Sequence, residues 1–331
     1  MSLLPASPPL AGESGAGDLP AEFRLIGAHF RPLAGPGALD LTDDAAVFTP
    51  PPGRDIVIAA DAMVAGVHFL PNDPPDLIAR KLLRTNLSDL AAMGAAPLGY
   101  LMTTSFPRGT PDRWIAAFAR GLAADQAEFG LTLLGGDTTS TPGPLSLSLT
   151  ILGTIAPGTA LRRNGARPGD GLWVSGTIGD GALGLLAARG EIDDAWLADR
   201  YRLPQPRLAL GQALVGIASA CMDVSDGLVQ DAGHLARESG CAIEIEAARV
   251  PLSPAARAQN RLDLCLTGGD DYELLFSVPI EKENSLIAAS RAKCIPVSRI
   301  GSFLPGAPHV TVRAPDGAAL AFPRGGWSHI P

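Results

Sequence analysis

Between Leu145 and Leu152 the chain alternates almost without fault. Leu145, Leu147, Leu149 and Ile151 fall on one side; Ser146, Ser148 and Thr150 fall on the other. A period of two over such a run is a strand with one apolar and one polar face. Half-buried strands of this kind belong to antiparallel sheets. A long helix is written as plainly over residues 76–93, where Leu77, Ile78, Leu82, Leu83, Leu87 and Leu90 form an apolar stripe and Gly94 fits the stop. Further helices are expected over 21–32, 114–129 (closed by Gly130), 181–189, 208–219 and 228–238. Strands are expected over 45–48, 55–60, 131–134, 172–175, 242–246, 274–278 and 309–313. The elements mix without strict βαβ order, which predicts an α+β fold rather than a doubly wound parallel sheet.

The 331 residues suggest two lobes, here 21–157 and 158–331, after a disordered tail over 1–20. That tail lacks a basic start and is broken by prolines, so it does not read as a signal peptide. No apolar stretch approaches the ~18 residues of a spanning helix, so no membrane is expected. Cys221, Cys241, Cys265 and Cys294 form no C-x-x-C pair and no zinc spacing. They read as buried small hydrophobes in a reducing, cytoplasmic setting. A net charge of −8 with no basic run argues against a nucleic-acid partner.

The placing of the aspartates carries the chemistry. Asp43 and Asp44 precede an expected strand, Asp61 and Asp137 end strands, and Asp223 and Asp226 precede a helix. Asp89 lies inside the apolar-striped helix, where a buried carboxylate needs a partner or a metal. Converging carboxylates repel unless cations lie between them, and hard oxygen donors suit magnesium. Taken singly, Asp226 reads equally as a helix cap, and Asp43, Asp44 and Asp61 as turn residues. Gly135-Gly136-Asp137-Thr138-Thr139 is read as a strand end whose N–H groups could meet phosphate oxygens, or as an ordinary turn. Arg162, Arg163 and Arg167 share a loop and suit phosphate or a solvated surface. Gly179-Asp180-Gly181-Ala182-Leu183-Gly184 matches the dinucleotide fingerprint. No acid-ended second strand follows at the right distance, so tight strand–helix packing explains it better. There is no P-loop, nucleophile elbow or protein-kinase set. These residues reach as far as a metal-dependent, phosphate-handling enzyme.

Seven segments, in order over about 21–331, resemble one family. Thr42-Asp43-Asp44-Ala45-Ala46-Val47 is similar to the GDDAA start of thiamine-monophosphate kinases, and residues 61–69 to their TDxLVxGxHF segment. Asn86 to Pro97 resembles NLSDLAAMGAxP, Gly135 to Thr139 GGDTT, and Asp223 to Leu228 DxSDGL. Gly268 to Leu274 resembles GGEDYEL, and Gly326-Trp327-Ser328-His329 the terminal GWxHF. The resemblance implies ATP-dependent phosphorylation of thiamine monophosphate to thiamine diphosphate. It also implies an aminoimidazole-ribonucleotide-synthetase-like N-terminal lobe that pairs with a second subunit as a homodimer, followed by a C-terminal α/β lobe. Carried over by position, Asp44, Asp61, Asp89, Asp137, Asp223 and Asp226 would bind Mg2+. Gly136, Asp137, Arg163 and Ser225 would hold ATP as co-substrate, with Arg163 also stabilising charge. His68, Asp270 and Trp327 would contact the thiamine phosphate. The chain departs from the family at Thr42 (usually Gly), at Ala59 and Ala60 (usually hydroxyl residues) and at Asp270 (usually Glu).

Overall fold

The computed structural model describes residues 20–327. The tail expected over 1–20 lies, apart from Pro20, outside the described residues, as do Ser328 and His329. The chain starts with helix α1 (Ala21–Leu25), continued through wider and tighter turns to Leu33, close to the helix expected over 21–32. Four strands then form the first sheet: β1 (Asp55–Val64), β2 (Ala96–Pro107), β3 (Thr132–Thr141) and β4 (Ser146–Ile155), in spatial order β1-β4-β2-β3. Strand β4 is antiparallel to both β1 and β2, as its alternation predicts, and β3 runs parallel to β2.

Helix α2 (Pro75–Ala92) begins on a proline at its first position, where no N–H is needed, and is followed by Gly94 at φ +74°. Helix α3 (Asp112–Phe129) ends on left-handed Gly130. Both cover the inner face of the first sheet, where Leu147, Leu149 and Ile151 are buried.

After residue 170 a seven-stranded mixed sheet forms from β5 (Gly171–Ser175), β6 (Ala220–Asp223), β7 (Ala242–Glu246), β8 (Leu274–Val278), β9 (Val297–Leu304), β10 (His309–Arg313) and β11 (Ala319–Leu320). Its order is β11-β10-β7-β9-β5-β8-β6. Helices α4 (Asp180–Ala188), α5 (Ala195–Arg202), α6 (Leu208–Leu214), α7 (Leu228–Ser239), α8 (Pro254–Ala258), α9 (Leu262–Thr267) and α10 (Glu283–Lys293) complete the lobe. No helix of the described residues is long and apolar enough to cross a membrane.

One core runs through both lobes. Leu82, Leu83, Leu87 and Leu90 of α2 have no exposed surface, and each such leucine contributes about 1.5–3 kcal/mol. Their cluster continues through Leu210 and Leu214 of α6 to Phe276 of β8. Helix α2 is therefore buried on nearly every side and serves as the axle between the lobes.

Four expectations change. Residues 45–48 form no strand. Val47 donates its N–H to Gly37 and is 69% exposed, because no described strand edge lies beside it. Strand β1 continues past Ala60 to Val64, paired with β4 residue by residue, so Asp61 is inside the strand. Likewise β3 continues to Thr141 along β2, so Gly135-Gly136-Asp137 is not a turn. Helix α6 stops at Leu214 rather than at 219. Strand β2 escaped the sequence reading because Pro97, Gly99 and Pro107 look like breakers. Its alternating buried set of Tyr100, Met102, Thr104 and Phe106 was nonetheless present.

Candidate active site

Three of the expected carboxylates meet where the lobes join. Asp61 comes from β1, Asp89 from the last turn of α2, and Asp223 from the end of β6. Ser88 Oγ donates to Asp223 Oδ2 at 2.7 Å, and Asn86 Oδ1 accepts the Asp61 N–H at 3.2 Å. One turn of α2 thus touches both other acids. Burial, then the neighbouring Asp223 and Asp61, push the Asp89 carboxyl up to about 8, while Arg163 pulls the other way. Burial also raises Asp61 and Asp223, the latter opposed by its bond from Ser88 and by Arg163. Crowding of this kind favours the protonated carboxyl over the carboxylate unless a cation lies between the acids.

Beside them the loop between β6 and α7 is tied down by Asp231. Its Oδ2 accepts the N–H groups of Ser225, Asp226 and Gly227, each at 3.1 Å. Burial, with Asp223 and Asp226 nearby, pushes Asp231 up to about 8. Asp226, Asp231 and His234 bring ligand atoms within 4.8 Å of one another. Trp327 lies against this loop. Its N–H donates to the Asp226 carbonyl at 2.9 Å, and Gln230 Nε2 donates to the Trp327 carbonyl at 2.6 Å. Trp327 as a whole is 54% exposed.

On the other side of the cluster, Asp270 accepts from Lys81 Nζ at 3.0 Å and from the Tyr272 hydroxyl at 3.0 Å. Lys81 also donates to the His68 carbonyl at 3.1 Å. His68 Nδ1 accepts the Val64 N–H at 3.0 Å, which leaves Nε2 to carry the proton of the neutral ring.

Two expected ligands are not gathered. Asp44 is exposed in the loop that replaces the expected strand. Asp137 is exposed on β3, and the register across the sheet (Ala62, Ser148, Thr103, Asp137) puts it on the outer face, opposite to Asp61. Gly136 sits beside it at φ +153°, where a Cβ would lie 1.8 Å from the Met102 carbonyl oxygen. That glycine is required by close strand pairing whatever else it does. Of the two missing hydroxyls, only position 59 shares the inner face with Asp61; Ala60 faces out.

The dinucleotide-like glycines have an internal explanation. Asp271 accepts the N–H groups of Gly179 and Gly181 at 2.8 and 3.0 Å, so the start of α4 already holds a carboxylate of the chain itself. A Cβ on Gly179, at φ +89°, would lie 2.4 Å from that of Cys265. Sequence reasoning missed Lys81, Asn86, Ser88, Asp231 and Tyr272. Ser88 and Asn86 stand inside a motif it quoted; Lys81 gave no signal beyond a charge in an apolar stripe.

Residues 42–155 match the N-terminal domain, and residues 167–312 the C-terminal domain, of AIR synthase related proteins. The thiamine-monophosphate kinase of Caulobacter vibrioides is 49% identical over 300 residues, covering 87% of this chain and 85% of that protein. This chain belongs to the thiamine-monophosphate kinase family. It is therefore a phosphotransferase, with the two-lobe fold of its relatives. The crystal structure of the thiamine-monophosphate kinase from Stenotrophomonas maltophilia K279a superposes with a TM-score of 0.78 at 39% identity, covering 85% of this chain and 91% of that one. AaThiL complexed with AMPPCP and TMP superposes at 0.75 with 29% identity, covering 87% and 91%.

The cluster makes a pH prediction for the protein without bound cation. Asp89 and Asp231 keep their protons to about pH 8, whereas carboxylates of the unfolded chain lose theirs near pH ~4. Across that window the folded state binds more protons, so its stability declines as pH rises. Thermal melts in chelator should show the Tm falling from about pH 5 to about pH 8. A rising Tm would mean that these acids are ionised in the fold.

Proposed function

We propose that the chain transfers the γ-phosphoryl group of ATP to thiamine monophosphate, giving thiamine diphosphate, as a magnesium-dependent cytoplasmic homodimer. The observation that carries this reading is the convergence of Asp61, Asp89 and Asp223 from both lobes, faced by Arg163, in a member of this family. The donor set fits the cation: crowded, partly desolvated carboxylate oxygens favour a small hard ion. Asp61, Asp89 and Asp223 would hold magnesium, with Asp226 on the adjoining loop. When bound, it supplies the positive charge that lets two phosphorylated substrates approach an acidic cleft.

The chain's own groups do the rest. Arg163 offers a guanidinium to the charge that develops on the transferring phosphoryl group. Ser225 has its N–H committed to Asp231 and offers its hydroxyl to the nucleotide. Trp327 presents an indole for a flat heterocycle, and His68 and Asp270 line the opposite side. The acceptor oxygen of thiamine monophosphate is anionic at neutral pH, so direct in-line attack requires positioning more than a general base.

The test is chromatographic separation of thiamine mono- and diphosphate after incubation with ATP, with and without magnesium. Magnesium-dependent diphosphate is expected. Binding of ATP or thiamine diphosphate without turnover would replace this reading with that of a sensor protein.

The homodimer reading has support in the outer face of the first sheet. Ile58 is 64% exposed and Leu101 41% exposed, beside Ala60 and Ala62, with no helix of the described residues covering them. An apolar sheet face of this kind suits a second copy of the chain. Ile58→Asp is expected to give a monomer at micromolar concentration in sedimentation. An unchanged mass would place the interface elsewhere.

A further inference from the structure

Lys81 is 2% exposed, yet it is a lysine in the apolar centre of α2. All of its donor directions are spent inside the protein. Nζ reaches Asp270 Oδ2 at 3.0 Å and the His68 carbonyl at 3.1 Å, and lies 3.6 Å from the centre of the Tyr201 ring. Tyr201 in turn donates its hydroxyl to the same His68 carbonyl at 3.3 Å. An ammonium has three donors, and a cation over an aromatic face is stabilised there. Lys81 therefore has no arm left for a phosphate oxygen.

Its partner is in a strained place. Asp270 and Tyr272 hold φ of +69° and +53° without being glycine, a conformation that persists only where the surroundings enforce it. Two backbone bonds do so, from the Asp270 N–H to Ser225 and from the Tyr272 N–H to Val224. Asp271 between them is held by the Gly179 and Gly181 N–H groups, and a further restraint is Lys81, which arrives from the other lobe.

We propose that Lys81 is a positioning residue for the acceptor substrate, fixing the Asp270 carboxylate and the His68 loop against each other across the lobe junction. This rests on the kinase reading above. With Lys81 on Oδ2 and Tyr272 on Oδ1, both Asp270 oxygens are engaged, so the turn presents a placed, largely neutralised carboxylate rather than a free negative charge.

The experiment is a double-mutant cycle of Lys81→Met and Asp270→Asn, read as separate kinetic constants for each substrate. Wild-type turnover of thiamine monophosphate tests the kinase reading on its own; its absence would remove that reading and this one with it. K81M is expected to raise KM for thiamine monophosphate by about tenfold or more, with KM for ATP within about twofold and kcat within about threefold. The double variant should match D270N rather than multiply the two effects. A K81M enzyme with wild-type KM, KM values for both substrates rising alike, or multiplying effects would overturn the proposal. Should K81M alone fail to fold, D270N against the double variant still decides, because removing both charges leaves neither buried alone.

Discussion

Asp89→Asn is expected to fold normally and to lose phosphoryl transfer by about 10²–10³-fold or more, the scale on which one preorganised electrostatic partner contributes. The physical reason lies in what asparagine copies. With its carboxyl pushed up to about 8, Asp89 in the cation-free protein is largely protonated at neutral pH. Asparagine reproduces that neutral state in shape and charge. The fold therefore loses little, and the repulsion from Asp61 and Asp223 that grows with pH is relieved. What asparagine cannot become is an anionic ligand. The variant should keep the wild-type Tm at pH 7 or exceed it, and its Tm should decline less steeply with pH, with Asp231 still contributing its share. Its turnover, measured as thiamine diphosphate formed at saturating magnesium, should be near background. A well-folded variant with near-normal turnover would remove Asp89 from the site.

The second large effect concerns stability. Glu273→Ala is expected to destabilise the protein by about 3–5 kcal/mol, the loss seen when one partner of a buried ion pair is removed. Glu273 has no exposed surface. Its carboxylate receives Arg207 through Nε at 2.6 Å and Nη2 at 2.5 Å, Arg200 at 3.4 Å, and the Ser175 hydroxyl at 2.6 Å. Ser175 Oγ accepts the Leu274 N–H. Alanine would leave two partly buried guanidiniums and a hydroxyl without their acceptor. Denaturant unfolding monitored by tryptophan fluorescence measures the loss directly. A change below about 1 kcal/mol would put this network among weakly coupled surface pairs.

Glu273 shows how a motif can be legible while its meaning is not. The segment Gly268 to Leu274 stands out in the sequence as glycine and acid entering a strand. Within it, Asp270 meets Lys81 of α2, Asp271 caps α4, and Glu273 anchors the α5–α6 arginines. Three neighbouring acids serve three different neighbourhoods, because successive residues of this turn point in different directions and meet different elements. No local pattern records which.

The long helix was legible to within one residue and the alternating strand to within three. Their periods are set by burial on one face, and burial follows from side-chain polarity alone. Strands β1 and β3 were cut short in the reading because their polar and small residues look like ends. They continue because β4 and β2 supply the hydrogen bonds. The strand expected at 45–48 failed for the complementary reason: its residues suit a strand, but among the described residues no edge was there to pair.

The sequence by itself determined the α+β class, the two long helices, the family and the acids worth testing, since each rests on residue type and order along the chain. The tertiary structure decided which acids meet. Asp61, Asp89 and Asp223 are 28 and 134 residues apart in order and converge only because α2 threads between the two sheets, while Asp137 turns to the outer face by the parity of its strand register. It also brought Lys81 against Asp270 and Asp231 against the loop after β6, because a lysine or aspartate in a helix is ordinary until the partner across the fold is known.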